Sequence, residues 1–223
     1  MEKRKIIFGD YNTAVHGWTL CEGWSFSAPV HKSHYVDKPS GDGTWDLSTA
    51  LTDGIPRYKD RNLKAAFECS EGTRTEREDI IRRMINQLDG LRMQIQLPDD
   101  DEHYLVGRLS VAREYNDLAH ARVTVTAVCE PWKYAIEESV ITLDARTNKS
   151  AVILENTGRR AVVPTITVEG DDSSVLLEYK TASIALSAGT YQWPLLLLTP
   201  GEHSVTYSGS GKIAIQYREA VLE

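Results

Sequence analysis

The chain has 223 residues, a mass of 25.0 kDa and a formal net charge of −7, from 25 Lys and Arg against 32 Asp and Glu. Its apolar fraction of 41% is too high for a disordered chain, and its apolar runs are far shorter than the roughly 20 residues of a membrane-spanning helix. The negative charge argues against a general nucleic-acid binder, because phosphates repel it.

The cysteines and the amino-terminal segment indicate the kind of cellular compartment in which the protein is made. Cys21, Cys69 and Cys129 are odd in number and widely spaced, which is not the pattern of a disulfide framework or a zinc site. Ile6–Phe8 is too short for the apolar core of a signal peptide. We therefore expect reduced, buried cysteines and no export signal.

The segment from Lys38 to Arg61 places large side chains among loop-forming residues. Long loops in compact domains are usually functional, and aromatic and Arg side chains on extended segments suit protein interfaces. The alternative of a loop packed on its own domain stays open. The candidate interface residues in this segment are Trp45, Leu47, Ile55, Arg57 and Tyr58.

Strands with one buried face are predicted on both sides of a single helix. Alternating apolar residues mark the strands, since side chains on a strand point to opposite faces in turn. A capping box at Thr75 and Glu78 predicts the start of the helix, and Gly90 predicts its end. The predicted strands are Leu63–Cys69, Leu91–Leu97, Tyr104–Tyr115 and Val123–Cys129.

After Glu137 the sequence changes to short predicted strands separated by Gly, Ser and Thr. Many short strands without helices indicate a sandwich or jelly roll. Ser208–Gly211 is predicted to be a flexible turn between the last two strands. The sequence thus predicts a mainly β chain with two domains: residues 1–135, a β-sandwich with one α-helix, and residues 136–223, a second β-sandwich.

No enzyme motif occurs: the sequence has no G-x-S-x-G, Walker loop, H-E-x-x-H or Rossmann fingerprint. Three sets of possible metal ligands are interpreted as solvated side chains, because their spacing does not suit a metal site. We therefore expect no enzymatic activity, no catalytic residue, no cofactor and no metal site. The three sets are His31 with His34, the run Asp99–Glu102 with His103, and Asp37, Asp42 and Asp46.

A carbohydrate-binding module is the alternative function, in which the second sandwich binds a cell-wall glycan. It requires an exposed aromatic side chain in a polar groove, and Trp193 and Tyr191 are the candidates. Trp193 precedes Pro194 and a run of Leu, which favours a core or edge position instead. A small hydrolase with two facing carboxylates is a third and less supported possibility.

Several motifs occur in a characteristic order along nearly the whole chain. They are Ile6–Phe8, Gly41–Leu47, Arg61–Phe67, the helix Glu76–Leu88, Cys129–Tyr134, Asn156 with Gly158 and Pro164, Leu198–Glu202, Gly209–Gly211 and Tyr217–Glu219. This order resembles the distal tail proteins (Dit) of long-tailed, non-contractile phages. Trp45 stands where that family is expected to have a smaller or aliphatic residue, and Ser40 near a place where Arg is common.

This resemblance implies a structural protein of the virion tail tip, assembled in the host bacterial cytoplasm. Such proteins form a homo-hexameric hub ring between the major tail tube protein and the tail-associated lysin, tail fibre or receptor-binding protein. The amino-terminal domain would build the ring, and the carboxy-terminal domain would be a galectin-like sandwich. No nucleic-acid sequence readout and no membrane insertion are implied.

Overall fold

The computed structural model describes residues 4–52 and 54–223, and it divides into a first unit that ends at Lys133 and a second unit from Tyr134 to Leu222. Both units are mainly β, and their sheets curl into half-barrels. The mainly β, sandwich-like fold class predicted from the alternating sequence is confirmed.

The first unit contains the helix and the strands of one large antiparallel sheet. Its elements are β1 (Ile7–Phe8), β2 (Tyr11–Asn12), β3 (Thr19–Leu20), β4 (Ser25–Phe26), β5 (Tyr35–Asp37), β6 (Thr44–Asp46), β7 (Arg61–Cys69), α1 (Arg74–Leu88), β8 (Arg92–Gln96), β9 (His103–Asn116) and β10 (Ala121–Cys129).

The sheet of the first unit has the strand order β2-β1-β8-β9-β10-β7-β3, and β4 also pairs with β7. Strands β7 and β10 pair over nine residues each, so that Leu63 lies opposite Ala127. Every second residue of β7 is buried, as the alternation predicted. Helix α1 lies against β9 and β10, and its Ile81, Met84 and Leu88 join the same core.

The start of α1 differs from the prediction. The N-cap is Thr73, whose side chain accepts a hydrogen bond from the Glu76 backbone N–H, while the Glu76 carboxylate accepts from the Thr73 N–H at 2.6 Å. The predicted capping box at Thr75 and Glu78 is therefore wrong by two residues. Within the described ranges no helix has the length and apolarity needed to cross a membrane.

The second unit contains only strands among its described elements. The sheet order is β12-β17-β14-β15, with β13 paired to β17 and β16 paired to β14. The elements, beginning with the strand that spans the boundary, are β11 (Lys133–Ala135), β12 (Ser139–Ala145), β13 (Ser150–Asn156), β14 (Thr165–Tyr179), β15 (Ala182–Ser187), β16 (Gly189–Gln192), β17 (Gly201–Tyr217) and β18 (Ala220–Val221).

Two strands of the second unit are longer than predicted, because glycines bend them instead of ending them. Ser208–Gly211 is not a turn but the middle of β17, which pairs with β13 before the bend and with β12 after it. Gly209 has a φ of 127°, and a Cβ there would lie 2.0 Å from the Ser174 carbonyl oxygen. Glycine is required at this position because β14 approaches too closely for any side chain.

Candidate functional site: an exposed hairpin arm

Residues 28–52 and 54–60 form a two-stranded extension of the first unit, here called the arm. It continues the pairing of β4 with β7 outward, and it includes the β5–β6 hairpin near its tip. The backbone ladder includes bonds from Lys59 N to Val30 O at 2.8 Å, Lys32 N to Arg57 O at 2.6 Å and Leu47 N to His34 O at 2.8 Å. The arm is therefore an ordered hairpin rather than the loop that the sequence suggested.

The base of the arm is fixed to the first unit by Arg61. This side chain is buried, and its guanidinium lies 3.7 Å from the centre of the Phe26 ring. Its Nε donates to the Ser27 carbonyl at 2.6 Å, and its Nη1 donates to the Pro131 carbonyl at 3.4 Å. Because a buried guanidinium needs such partners, Arg61 determines where the arm leaves the sheet.

Four of the five predicted interface residues are exposed on the arm. Trp45 in β6 is 50% exposed, Leu47 is 42% exposed and Ile55 is 37% exposed, and Arg57 is also at the surface. Trp45 and Leu47 are two residues apart and so point to the same side of the strand. Exposed aromatic and aliphatic side chains on an extended hairpin are typical of an interaction surface.

Tyr58, the fifth predicted residue, is half-buried and packs within its own unit. Its ring makes an edge-to-face contact with Trp132 at 5.4 Å between centroids, and its backbone pairs with His31. Such aromatic pairs add about 1 kcal/mol beyond the area they bury. Tyr58 therefore supports the base of the arm, while Trp45 and Leu47 lie farther out.

Sequence reasoning missed four further exposed apolar residues on the described part of the arm: Val30, Tyr35, Val36 and Leu51. Leu51 is 98% exposed, which is extreme for a large aliphatic side chain. The signal that could have identified this side of the arm is the pair of strand-forming residues Tyr35 and Val36, and in the hairpin Val36 lies opposite Trp45. The candidate surface thus extends over both strands.

A local turn shapes the arm after β6. The Asp46 carboxylate accepts a hydrogen bond from the Ser48 backbone N–H at 2.9 Å, and these bonds to Ser48 hold the pKa of Asp46 below its ordinary value. Ser48 Oγ in turn accepts from the His34 N–H at 2.9 Å. Asp46 therefore stabilises the geometry of the turn.

The chemistry of the cysteines is unlike that of a catalytic nucleophile. Burial raises the pKa of Cys129 to about 12, and burial followed by the nearby Glu68 carboxylate raises the pKa of Cys21. Cys21 lies in an open cleft of about 390 Å³ that also contains Arg122 and His120. Because the thiolate is the reactive form, raised pKa values make both thiols less reactive.

The acidic run after β8 is more structured than the sequence suggested. Asp100 is mostly buried, and its carboxylate accepts hydrogen bonds from Lys133 Nζ and His103 Nδ1, both at 3.0 Å. Burial by itself would raise the pKa of Asp100, but these hydrogen bonds outweigh it and leave the pKa lowered. Within residues 4–52 and 54–223, no group of three or more His, Cys, Asp or Glu side chains is arranged to hold a metal ion.

The aromatic candidates for sugar binding are not placed in an open groove. Trp193 is only 6% exposed and belongs to the core of the second unit, which confirms its predicted core position. The Tyr191 hydroxyl lies 3.2 Å from Ser187 Oγ, and its half-buried ring packs beside the same core. Trp193 therefore has no open ring face on which a sugar could stack, and Tyr191 is half-buried.

One buried His–Tyr pair was not predicted. His203 Nδ1 lies 2.7 Å from the Tyr179 hydroxyl, and its Nε2 lies 2.7 Å from the Thr199 carbonyl oxygen. The carbonyl accepts only, so Nε2 carries the proton and Nδ1 accepts from the tyrosine. With both nitrogens bonded inside the core, His203 has a structural role.

Comparisons with known proteins identify a solved structure with a similar fold. No protein-family model matches the chain, and no curated protein sequence matches it. The crystal structure of the Dit protein of phage SPP1, titled a paradigm of the hub adsorption apparatus in phages that infect Gram-positive bacteria, is similar with a TM-score of 0.66. The match covers 96% of this chain and 98% of that chain at 14% identity. The resemblance to the distal tail proteins is confirmed at the level of the fold.

Proposed function

We propose that this chain is a hub protein of a phage tail tip, and that its role is structural rather than enzymatic. The observation that carries the proposal is the likeness to SPP1 Dit over 96% of the chain, because it includes both units. That neighbour is described as part of a hub adsorption apparatus, which supports a structural rather than enzymatic role. The site of action would be the virion tail, after assembly in the host cell.

We further propose that six copies close into a ring through the arm, and that the ring joins the tail tube protein to the lysin, fibre or receptor-binding protein. A ring requires a heterologous interface, in which one patch of each copy contacts a different patch of the next. The arm suits such an interface because it projects exposed Trp45 and Leu47 from a base that Arg61 fixes. Residues 1–135 would build the ring, and residues 136–223 would carry the peripheral, galectin-like domain.

The mass of the purified protein in solution tests this function. Light scattering after size exclusion is expected to give about 150 kDa, six times the mass of one chain, and negative-stain images are expected to contain rings. A mass of one chain at all concentrations would contradict the ring.

A pair of variants tests the role of the arm in closing the ring. The double change Trp45→Ala and Leu47→Ala is expected to leave the far-UV circular dichroism and thermal midpoint unchanged, because both side chains are exposed, and to reduce the mass toward one chain. The matched control replaces Ile153 and Leu195, two exposed aliphatic residues of the second unit, and is expected to retain the ring. Equal masses for the two variants would show that Trp45 and Leu47 of the arm do not form the interface of the ring.

A further inference from the structure

A stripe of positive charge lies on one face of the arm. His31 and Tyr58 are paired across the two strands, and the adjacent backbone bonds place Lys32 opposite Arg57 and Val30 opposite Lys59. Since side chains alternate between the faces of a strand, the three cations lie on the face away from His31 and Tyr58. The basic stripe is defined as Lys32, Arg57 and Lys59.

The charges of the basic stripe are not paired within the part of the chain that the structure describes. All three side chains are exposed, and within residues 4–52 and 54–223 none of them forms an ion pair. Like charges directly opposite on two strands destabilise the pairing. Lys32 and Arg57 carry that cost in the isolated chain, and an acidic surface placed against them would remove it.

The same unit carries an acidic patch of matching size. In the turn between β8 and β9, Asp99, Asp101 and Glu102 are exposed, whereas Asp100 is held by Lys133 and His103. Asp99 has a cation at the edge of ion-pair distance, Arg4 at 3.8 Å, and both side chains are more than half exposed. The acidic turn, defined as Asp99, Asp101 and Glu102, therefore presents three solvated carboxylates.

We propose that the basic stripe of one copy docks on the acidic turn of a second copy. The stripe and the turn are different patches of one chain with opposite charge and equal number, which is what a heterologous contact between identical subunits requires. The inference rests on the proposed ring and adds the electrostatic contact that selects the neighbour. A chain with net charge −7 otherwise repels its own copies, so a complementary contact also speeds their encounter.

Charge exchange between two variants tests this contact. The stripe variant carries Lys32→Glu, Arg57→Glu and Lys59→Glu, and the turn variant carries Asp99→Lys, Asp101→Lys and Glu102→Lys. Each variant alone faces like charge at the contact, and its self-association is expected to weaken at least 10-fold. An equimolar mixture is expected to recover the wild-type mass, because each stripe then meets an opposite turn in alternating order.

A matched control separates this contact from net charge. The control carries Arg146→Glu, Arg159→Glu and Lys212→Glu on exposed residues of the second unit. Its net charge changes by the same amount as that of the stripe variant, and it is expected to associate like the wild type. Circular dichroism of every variant establishes that it is folded.

The outcomes distinguish the contact from the proposed function. If the wild type forms a ring and both charge variants form it equally well, or if the mixture does not recover, the contact is overturned and the ring stands. If the stripe variant fails with every chain, including the turn variant, the stripe binds something other than the acidic turn, and the proposal is wrong. A wild type that remains a single chain overturns the ring and the contact together.

Discussion

Two neighbouring stretches of the first unit use strong strand-forming residues for opposite purposes. In β7, Leu63 and Phe67 belong to the core and are at most 1% exposed, whereas Trp45 in the arm is half exposed. Both stretches form backbone ladders, so hydrogen bonding does not distinguish them. The difference is the second layer: the inner face of β7 lies in the core to which α1 contributes, whereas Trp45 and Leu47 of the arm remain exposed. Surface that folding leaves uncovered is available for assembly.

Truncation of one aromatic in each stretch gives the largest expected contrast. Phe67→Ala leaves a cavity in the core and is expected to lower the free energy of unfolding by about 3–5 kcal/mol. Trp45→Ala is expected to change it by less than about 0.5 kcal/mol, because half of the ring is already in water. Urea unfolding at a concentration where the protein is a single chain measures both. A cost above about 2 kcal/mol for Trp45→Ala would mean that the arm is part of the core.

Buried and exposed arginines sharpen the comparison. Arg77 of α1 is buried and donates hydrogen bonds to the carbonyls of Gly72 at 2.6 Å, Asp117 at 2.9 Å and Leu118 at 3.1 Å. Arg77→Ala would leave these carbonyls without their donor and is expected to cost about 3 kcal/mol. Arg57→Ala in the arm is the control and is expected to cost almost nothing in thermal unfolding.

A glycine packed in the second unit and a glycine exposed in the arm give a further comparison between covered and uncovered strands. Gly209→Ala places a methyl group against the Ser174 carbonyl in a conformation that favours glycine, with an expected cost of about 2 kcal/mol or more. At the arm tip, Gly43 has a φ of 79° but open space around it, so Gly43→Ala is expected to cost about 1 kcal/mol from backbone conformation alone. Equal midpoints in urea for the two variants would contradict the close approach of β14 to β17.

The helix cap gives the smallest expected effect. Thr73→Ala removes the N-cap of α1 and is expected to cost about 1 kcal/mol, whereas Thr75→Ala lies within the first turn and is expected to cost less than half of that. Thermal unfolding of the two variants side by side measures the difference. If Thr75→Ala were the costlier change, the cap would lie where the sequence pattern first placed it.

The helix start illustrates how local signals compete. Both Thr73-x-x-Glu76 and Thr75-x-x-Glu78 satisfy the capping pattern, so the sequence by itself does not choose between them. The choice depends on Glu78, which bonds Arg113 at 2.6 Å and Asn116 at 3.0 Å on β9 and is therefore not available as a cap. These are contacts between residues more than thirty positions apart, which no local pattern contains.

The glycines of β17 illustrate a second limit. A Ser-Gly-Ser-Gly run is a common turn sequence, and a turn there was a reasonable prediction. The same glycines also permit a strand to bend closely over its neighbour, and β14 provides that neighbour in the folded unit. Only the pairing of β14 with β17 determines which of the two uses applies.

The strands with alternating apolar residues and the existence of α1 can be predicted from the chain alone, and so can the unusual segment that contains Trp45, Leu47, Ile55, Arg57 and Tyr58. These features depend on short-range periodicity and composition, which are present in the chain before it folds. The fold was needed to show that the segment is an ordered hairpin, that Tyr58 packs on Trp132, and that Lys32, Arg57 and Lys59 share a face. The reason is that cross-strand register and burial arise from pairs of distant residues, and a linear pattern does not specify those pairs.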